Sequence, residues 1–108
     1  MPGLTIEIER YVDDSFPGWV ECSLVDAFSN RHLFREKGPI VKAGYLGPES
    51  AYPQHGAIAC EVEAEWKDDS GRSLVRVNTE LPWGAESISG ETRFVVPRAQ
   101  VTCDESDA

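Results

Sequence analysis

The alternation of apolar and polar residues between Ile58 and Trp66 constrains the fold more than any other feature of the chain. Over this stretch every second residue is apolar or small: Ile58, Cys60, Val62, Ala64 and Trp66. Five consecutive matches to a period of two are typical of a β-strand with one buried face. A helix is the rival, because Ile58, Val62 and Trp66 also recur every four residues.

The turn sequence "DDSG" at residues 68–71 favours the strand. A four-residue loop there would fold the chain back on itself as a hairpin. The predicted pairs are Lys67 with Arg72, Trp66 with Ser73, Ala64 with Val75 and Val62 with Val77. The apolar residues then share one face, and Glu63 opposes Arg76 on the other. We therefore interpret Glu61, Glu63 and Glu65 as a solvent-facing row with cross-strand ion pairs.

Further strands lie on both sides of this hairpin. Leu4, Ile6 and Ile8 alternate with polar residues, and "DDSFPG" then turns the chain into a second strand, "WVECSLVDA". The turn "FSN" leads to a third strand, "RHLFREK", in which Leu33 and Phe34 are adjacent. One of these two must be partly exposed or lie at a bulge. A last strand is predicted at residues 92–96.

Residues 38–56 interrupt the strand pattern with four glycines and three prolines. We expect a long irregular crossover here, between strands 3 and 4, with a single helical turn at Pro48. The order of strands joined by hairpins, then a crossover, then two or three more strands predicts an all-β fold. Its expected form is a small five- or six-stranded antiparallel barrel, SH3-like or OB-like. The 108-residue length fits one domain at residues 1–102, followed by a disordered acidic tail at 103–108.

The charge balance narrows the classes of partner. Nineteen acidic residues against ten basic ones give a net charge of -9, which repels phosphate backbones and anionic membranes. Nucleic-acid binding is therefore disfavoured, and no membrane segment or leader is recognisable. Cys22, Cys60 and Cys103 lie far apart without a Cys-x-x-Cys spacing, so we expect reduced thiols, no metal site and a cytoplasmic location.

The acidic row is a poor candidate for catalysis. Alternate side chains on one strand face stand about 6.5 to 7 Å apart in water, where nothing raises the pKa of one carboxyl. The sequence also lacks a nucleophile elbow, a phosphate-binding glycine loop and a Cys/His constellation. We therefore predict a non-enzyme without catalytic residues or cofactors.

The leading functional prediction is an interaction module that binds a protein partner, with a basic partner favoured by the charge. The predicted partner-binding residues are Tyr45 and Tyr52 in the crossover, Trp83 in a tight turn, and Glu86 after it. Trp83 either folds inward to close one end of the barrel or remains exposed as an anchor. The alternative is an OB-like binder of single-stranded nucleic acid or a small ligand, with Trp19, Tyr45, Tyr52 and Trp83 as stacking platforms. That alternative lacks a basic groove.

Four pieces of the sequence carry a resemblance: "GWVECSLVDA", "EKGPIV", "GAIACEV" and "LPWGAES". They resemble a family of short bacterial proteins of unknown function that share Gly-Trp-x-Glu-Cys, Glu-Lys-x-Pro and Pro-Trp-Gly-x-Glu-Ser. The resemblance spans about residues 18–96 and implies neither an activity nor any site residue. The turn "FSN" departs from the glycine-containing turn that is more usual there.

Overall fold

The computed structural model describes residues 1–41, 43 and 46–102, and in these it is all-β, with antiparallel strand pairing throughout and no α-helix. The strands are β1 (Gly3–Asp13), β2 (Trp19–Val25), β3 (Arg31–Lys37), β4 (Gln54–Ala59), β5 (Glu61–Lys67), β6 (Ser73–Asn78), β7 (Arg93–Pro97) and β8 (Val101–Thr102). Two short 3₁₀ turns lie at Gly38–Ile40 and Arg98–Gln100. The predicted tail at 103–108 lies outside the described residues.

The strands form two sheets. Sheet I has the order β3-β2-β1-β4, with β8 paired to the first residues of β1, and sheet II has the order β5-β6-β7. The core contains side chains from both sheets: Leu4, Ile6, Ile8, Val20, Cys22, Leu24, Phe34, Val41, Ile58, Cys60, Val75, Val77, Ala85, Phe94, Val96 and Val101. Most of them sit at alternate positions of their strands, as the period of two predicts.

The predicted single strand at residues 58–66 is divided between the two sheets. Strand β4 ends at Ala59 in sheet I, and β5 begins at Glu61 in sheet II. Between them the Cys60 N–H donates to the Pro2 carbonyl at 3.0 Å. The prediction of a closed barrel is therefore wrong, because the chain changes sheets at Cys60 and does not continue one ladder. The all-β antiparallel class is confirmed.

The register of the β5–β6 hairpin also differs from the prediction. Its loop has three residues, because the Asp68 N–H donates to the Arg72 carbonyl at 3.0 Å. The observed pairs include Lys67 with Ser73, Trp66 with Leu74, Ala64 with Arg76 and Val62 with Val77. A bulge between Val62 and Ala64 absorbs the one-residue shift and reverses the facing of the residues after it. Trp66 is consequently 37% exposed, where the sequence predicted burial.

The predicted ion pair of Glu63 with Arg76 is present, but the predicted single row of glutamates is not, because the bulge places Glu65 opposite Val75 and Ala64 opposite Arg76. Glu63 accepts hydrogen bonds from Arg76 at 3.2 Å, from Arg93 at 3.2 Å and from Asn78 at 3.3 Å. Desolvation raises the pKa of the Glu63 carboxyl. The hydrogen bonds from Asn78 and Arg93 outweigh this effect, so the pKa is lowered overall. Glu65 lies 3.2 Å from Arg98. Two of the three glutamates thus form ion pairs with arginines, Glu63 within sheet II and Glu65 with the 3₁₀ turn that follows β7.

The "FSN" turn adopts a conformation that glycine usually provides. Ser29 has a φ of 66°, in the left-handed region that few residues other than glycine adopt. The Asp26 carboxylate accepts hydrogen bonds from the N–H groups of Phe28 and Asn30, at 2.8 and 3.0 Å. These bonds stabilise a turn whose sequence lacks glycine.

In the adjacent pair of strand β3, Phe34 is buried and Leu33 is partly exposed. The Phe34 ring packs against Phe94 of sheet II, with ring centroids 5.6 Å apart. We expect Phe34→Ala to lower the free energy of unfolding by about 3–5 kcal/mol, because it leaves a cavity between the sheets. Urea denaturation followed by circular dichroism measures this.

The matched control is Phe16→Ala, since the Phe16 side chain is 96% exposed. This substitution should change the free energy of unfolding by no more than about 0.5 kcal/mol. Equal effects of the two substitutions would contradict the placement of the core.

Candidate functional site

Two clefts open on the surface of the described residues. The larger, about 560 Å³, lies on the outer face of sheet I and includes Glu7, Glu9, Ser23, Arg31 and His55. Its central carboxylate is already occupied, because Glu9 accepts hydrogen bonds from the Ser23 hydroxyl and from Arg31. These bonds lower the pKa of Glu9 and leave this cleft little unsatisfied charge for a ligand.

The smaller cleft, about 350 Å³, lies between the end of β3 and the loop at residues 79–92. We call it the Trp19–Trp83 cleft, and its lining includes Trp19, Glu36, Lys37, Trp83, Glu86 and Ile88. Its volume is at the lower end of the range for ligand pockets in proteins. Aromatic rings and carboxylates therefore meet here in one concave surface.

A buried threonine holds the loop that forms one wall of the cleft. The Thr79 hydroxyl donates to the Ala85 carbonyl at 2.7 Å, and the Thr79 carbonyl accepts from the Ala85 N–H at 3.1 Å. Further along, the Ser87 hydroxyl accepts from the Glu91 N–H at 3.1 Å. The Ile88 N–H donates to the Leu33 carbonyl at 2.8 Å and ties the loop to β3. Ser87 thus has the turn-capping role that its sequence position allows.

The opposite wall is formed by Trp19 and the end of β3. Trp19 pairs with Lys37 across β2 and β3, and the Lys37 ammonium lies 5.8 Å from the centroid of the Trp19 ring. The Gly38 N–H donates to the Gly18 carbonyl at 2.9 Å and continues the β2–β3 ladder beyond Trp19. The face of Trp19 is therefore already in contact with a cation.

Trp83 is 57% exposed, which excludes its folding inward to close one end of the fold. Ile88 and Leu81, in the same loop, are also exposed. The bonds made by Thr79 and Ser87 fix the backbone of this loop, while its large apolar side chains remain in solvent. Exposed tryptophan on a fixed backbone is typical of an interface anchor.

Glu36 is the distinctive charged group of the cleft, because it is only 9% exposed. It shares the inward face of β3 with Phe34, two residues before it. Desolvation raises the pKa of Glu36, and the Glu86 charge adds to this rise. Hydrogen bonds from the backbone N–H groups of Lys37 and Glu86, together with the Lys37 charge, lower the pKa but do not cancel the rise.

No lysine, arginine or histidine forms an ion pair with Glu36 or Glu86 within residues 1–41, 43 and 46–102. Arg35 and Lys37 also line the cleft, but neither forms an ion pair with these two carboxylates, so the desolvation of Glu36 is only partly compensated. A carboxylate that loses its water without gaining a cation is costly, and a ligand that supplies the cation recovers this cost.

The structure brings together some of the residues predicted from sequence. Trp83 and Glu86 line the cleft, and so does Trp19. Tyr52 does not line it: its hydroxyl donates to the Gly47 carbonyl at 2.9 Å, and its ring packs against the core. Tyr45 lies outside the described residues.

Sequence reasoning missed Glu36. The signal was available in "RHLFREK", because the position of Phe34 on the inner face places Glu36 on that face as well. A charged residue at an inward position is an indication of a site, since such residues are rarely buried without a reason.

The described residues offer little support for a cysteine nucleophile, a metal site or a membrane-spanning helix. Burial raises the pKa of the Cys22 thiol to about 12 and that of the Cys60 thiol to about 11, so neither is a thiolate nucleophile at neutral pH. The described part of the chain has no cluster of three or more metal-ligating side chains. It also has no helix of the length and apolarity that a bilayer crossing requires.

Comparison with known proteins shows no relative: no family model, no curated protein and no solved structure matches the chain. The resemblance to short bacterial proteins of unknown function therefore stays a prediction.

Proposed function

We propose that the protein is an interaction module that binds a basic segment of a protein partner in the Trp19–Trp83 cleft. The observation that carries this proposal is the buried Glu36 carboxylate, which forms no ion pair among the described residues and whose pKa stays raised despite the nearby Lys37 charge. A lysine or arginine side chain entering the cleft would supply the missing charge. The net charge of -9 would also attract a basic partner from a distance.

The chemistry of the cleft suits such a side chain. Glu36 and Glu86 provide two carboxylates, and Trp83 provides an exposed ring face for a cation. The exposed Ile88 and Leu81 can cover the apolar residues that flank the cation in the partner. A basic residue next to apolar neighbours is therefore the preferred ligand, and no cofactor is required.

We propose no catalytic role for Glu36 or for the other residues that line the cleft. Glu36 has the raised pKa that a general acid needs, but it is held by two backbone N–H groups inside a wall of the cleft. The described lining of the cleft supplies no histidine or cysteine beside it. We place the module in the cytosol, which suits the free buried thiols of Cys22 and Cys60.

One observation favours the alternative of a planar ligand. Trp19 and Trp83 line the same cleft, as stacking platforms for a base would. The two carboxylates favour a cationic ring and repel a phosphate backbone. Single-stranded nucleic acid therefore ranks below the basic segment, and it serves as a comparison ligand in the experiment below.

We expect a fluorescein-labelled peptide of alternating arginine and leucine to bind, whereas the glutamate–leucine peptide and oligo-dT should not. Trp83→Ala should weaken binding of the arginine peptide by about 2 kcal/mol, a factor of about 30, because it removes the exposed ring. Fluorescence anisotropy measures each affinity. Phe28→Ala is the matched control, since Phe28 is exposed in the turn at the other end of β3. Equal affinities for the Trp83 and Phe28 variants, or tighter binding of oligo-dT, would overturn the proposal.

Glu36→Gln should stabilise the free protein and weaken its binding. Because the fold raises the pKa of Glu36 above the ordinary value of 4.5, the folded state holds this proton more tightly than the unfolded chain. The free energy of unfolding therefore falls as the pH rises from 4.5 through the raised value, and the ionised carboxylate is a cost at pH 7. Glutamine removes that cost, so the variant should be more stable at pH 7, with a gain that disappears below about pH 4.

The same variant should bind the arginine peptide about tenfold or more weakly, because the counter-charge is lost. Urea denaturation at several pH values and anisotropy measure the two effects. Glu61→Gln, at an exposed acid on β5, is the control and should change neither quantity appreciably. A Glu36→Gln variant that binds as well as the original protein would contradict the role of this carboxylate.

A further inference from the structure

In the described part of the chain, loop contacts reach three of the outer strands of the two sheets: β3, β4 and β7. Sheet I ends at β3 and β4, and sheet II ends at β7 and β5. On β3, the Leu33 carbonyl accepts a hydrogen bond from the Ile88 N–H at 2.8 Å, and on β7 the Val95 carbonyl accepts one from the Ala27 N–H at 2.9 Å. On β4, Ile58 forms a β-bridge with Val41. Unpaired edges are sites where another strand can add, so such covers protect a monomer from association.

Within residues 1–41, 43 and 46–102, no contact of this kind covers the outer edge of strand β5. The Asp68 N–H donates to the Arg72 carbonyl, and in an antiparallel pair the backbone groups of alternate residues point to the same neighbour. The backbone N–H and carbonyl groups of Ala64, Trp66 and Asp68 therefore point towards β6. The backbone groups of Glu65 and Lys67 consequently face away from the sheet. The bond from the Thr79 N–H to the Thr92 carbonyl, 2.8 Å, gives the same result, because it turns the odd-numbered residues of β6 towards β7. In the described chain no hydrogen bond reaches the outward backbone groups of Glu65 or Lys67.

We propose that this edge pairs with the same edge of a second copy of the chain, antiparallel about a two-fold axis at Trp66. Only residues with outward backbone groups can form the new hydrogen-bonded pairs. With the axis at Trp66, Glu65 of each copy lies opposite Lys67 of the other. Both hydrogen-bonded pairs then join opposite charges, and the two Trp66 side chains lie opposite each other on the outer face.

Neighbouring registers are excluded by charge. An axis at Glu65 would place that carboxylate opposite its own copy, and an axis at Lys67 would do the same for the ammonium. The bulge after Val62 ends the regular edge on the other side, so the pairing is confined to residues 64–68. The edge is thus self-complementary in a single register.

Two further features favour a second copy over a basic segment of another protein. Glu63 already forms ion pairs with Arg76 and Arg93, and Glu65 lies 3.2 Å from Arg98, so strand β5 has little excess negative charge to attract such a segment. Trp66 is 37% exposed opposite Leu74, and in the dimer it would pack against an identical ring. The dimer would contain one continuous sheet of six strands.

A charge-exchange experiment tests the register directly. Sedimentation equilibrium at chain concentrations up to about 1 mM should show a species of twice the 11.9 kDa mass. Glu65→Lys alone and Lys67→Glu alone each place like charges opposite each other, and each should raise the dissociation constant by about tenfold or more. The double variant restores two opposite-charge pairs and should recover dimerisation. Circular dichroism confirms that each variant is folded.

The double variant does not restore the contact of residue 65 with Arg98, so recovery would report the pairing between copies. A single mass of 11.9 kDa at every concentration, or a dimer that is insensitive to the exchanges, would overturn the proposal. The Trp19–Trp83 cleft does not involve β5, so the monomeric single variants should still bind the arginine–leucine peptide. Failure of either proposal therefore leaves the other testable.

Discussion

The passage of the chain from sheet I to sheet II at Cys60 is the constraint on which the structure depends. The bond from the Cys60 N–H to the Pro2 carbonyl fixes that passage and places the N-terminal segment over it. Sheet II is held against sheet I there, so Phe34 can meet Phe94 across a common core. A chain that continued in one ladder through Cys60 would have no second sheet and no wall for the cleft.

Local patterns predicted the strands well because side-chain burial on a strand follows backbone alternation. Leu4, Ile6 and Ile8 are buried as their spacing indicates. The facing of Trp66 was wrong because one extra backbone residue, the bulge at Glu63, reverses everything after it, and no residue type marks it in the sequence. The division into two sheets was equally invisible, since it depends on a bond to Pro2, far away in the chain.

The candidate site was only partly predictable for a related reason. Trp83 and Glu86 are adjacent to a turn, and their exposure follows from the local sequence once Thr79 holds the loop. That Glu36 faces them depends on how the loop meets the end of β3, which is a tertiary contact. The sequence shows the charge of Glu36 without showing the burial that raises its pKa.

The hydrogen bonds between Thr79 and the loop at residues 80–91 have an evolutionary consequence. The anchoring bonds come from the buried hydroxyls of Thr79 and Ser87 and from main-chain groups, so they do not depend on the exposed side chains of the loop. Trp83 and its exposed neighbours can therefore change identity with little effect on folding. A lineage with this architecture could acquire new ligands by altering the exposed positions of this loop while keeping Ala85 and Ser87, much as an antibody domain varies its loops on a constant frame.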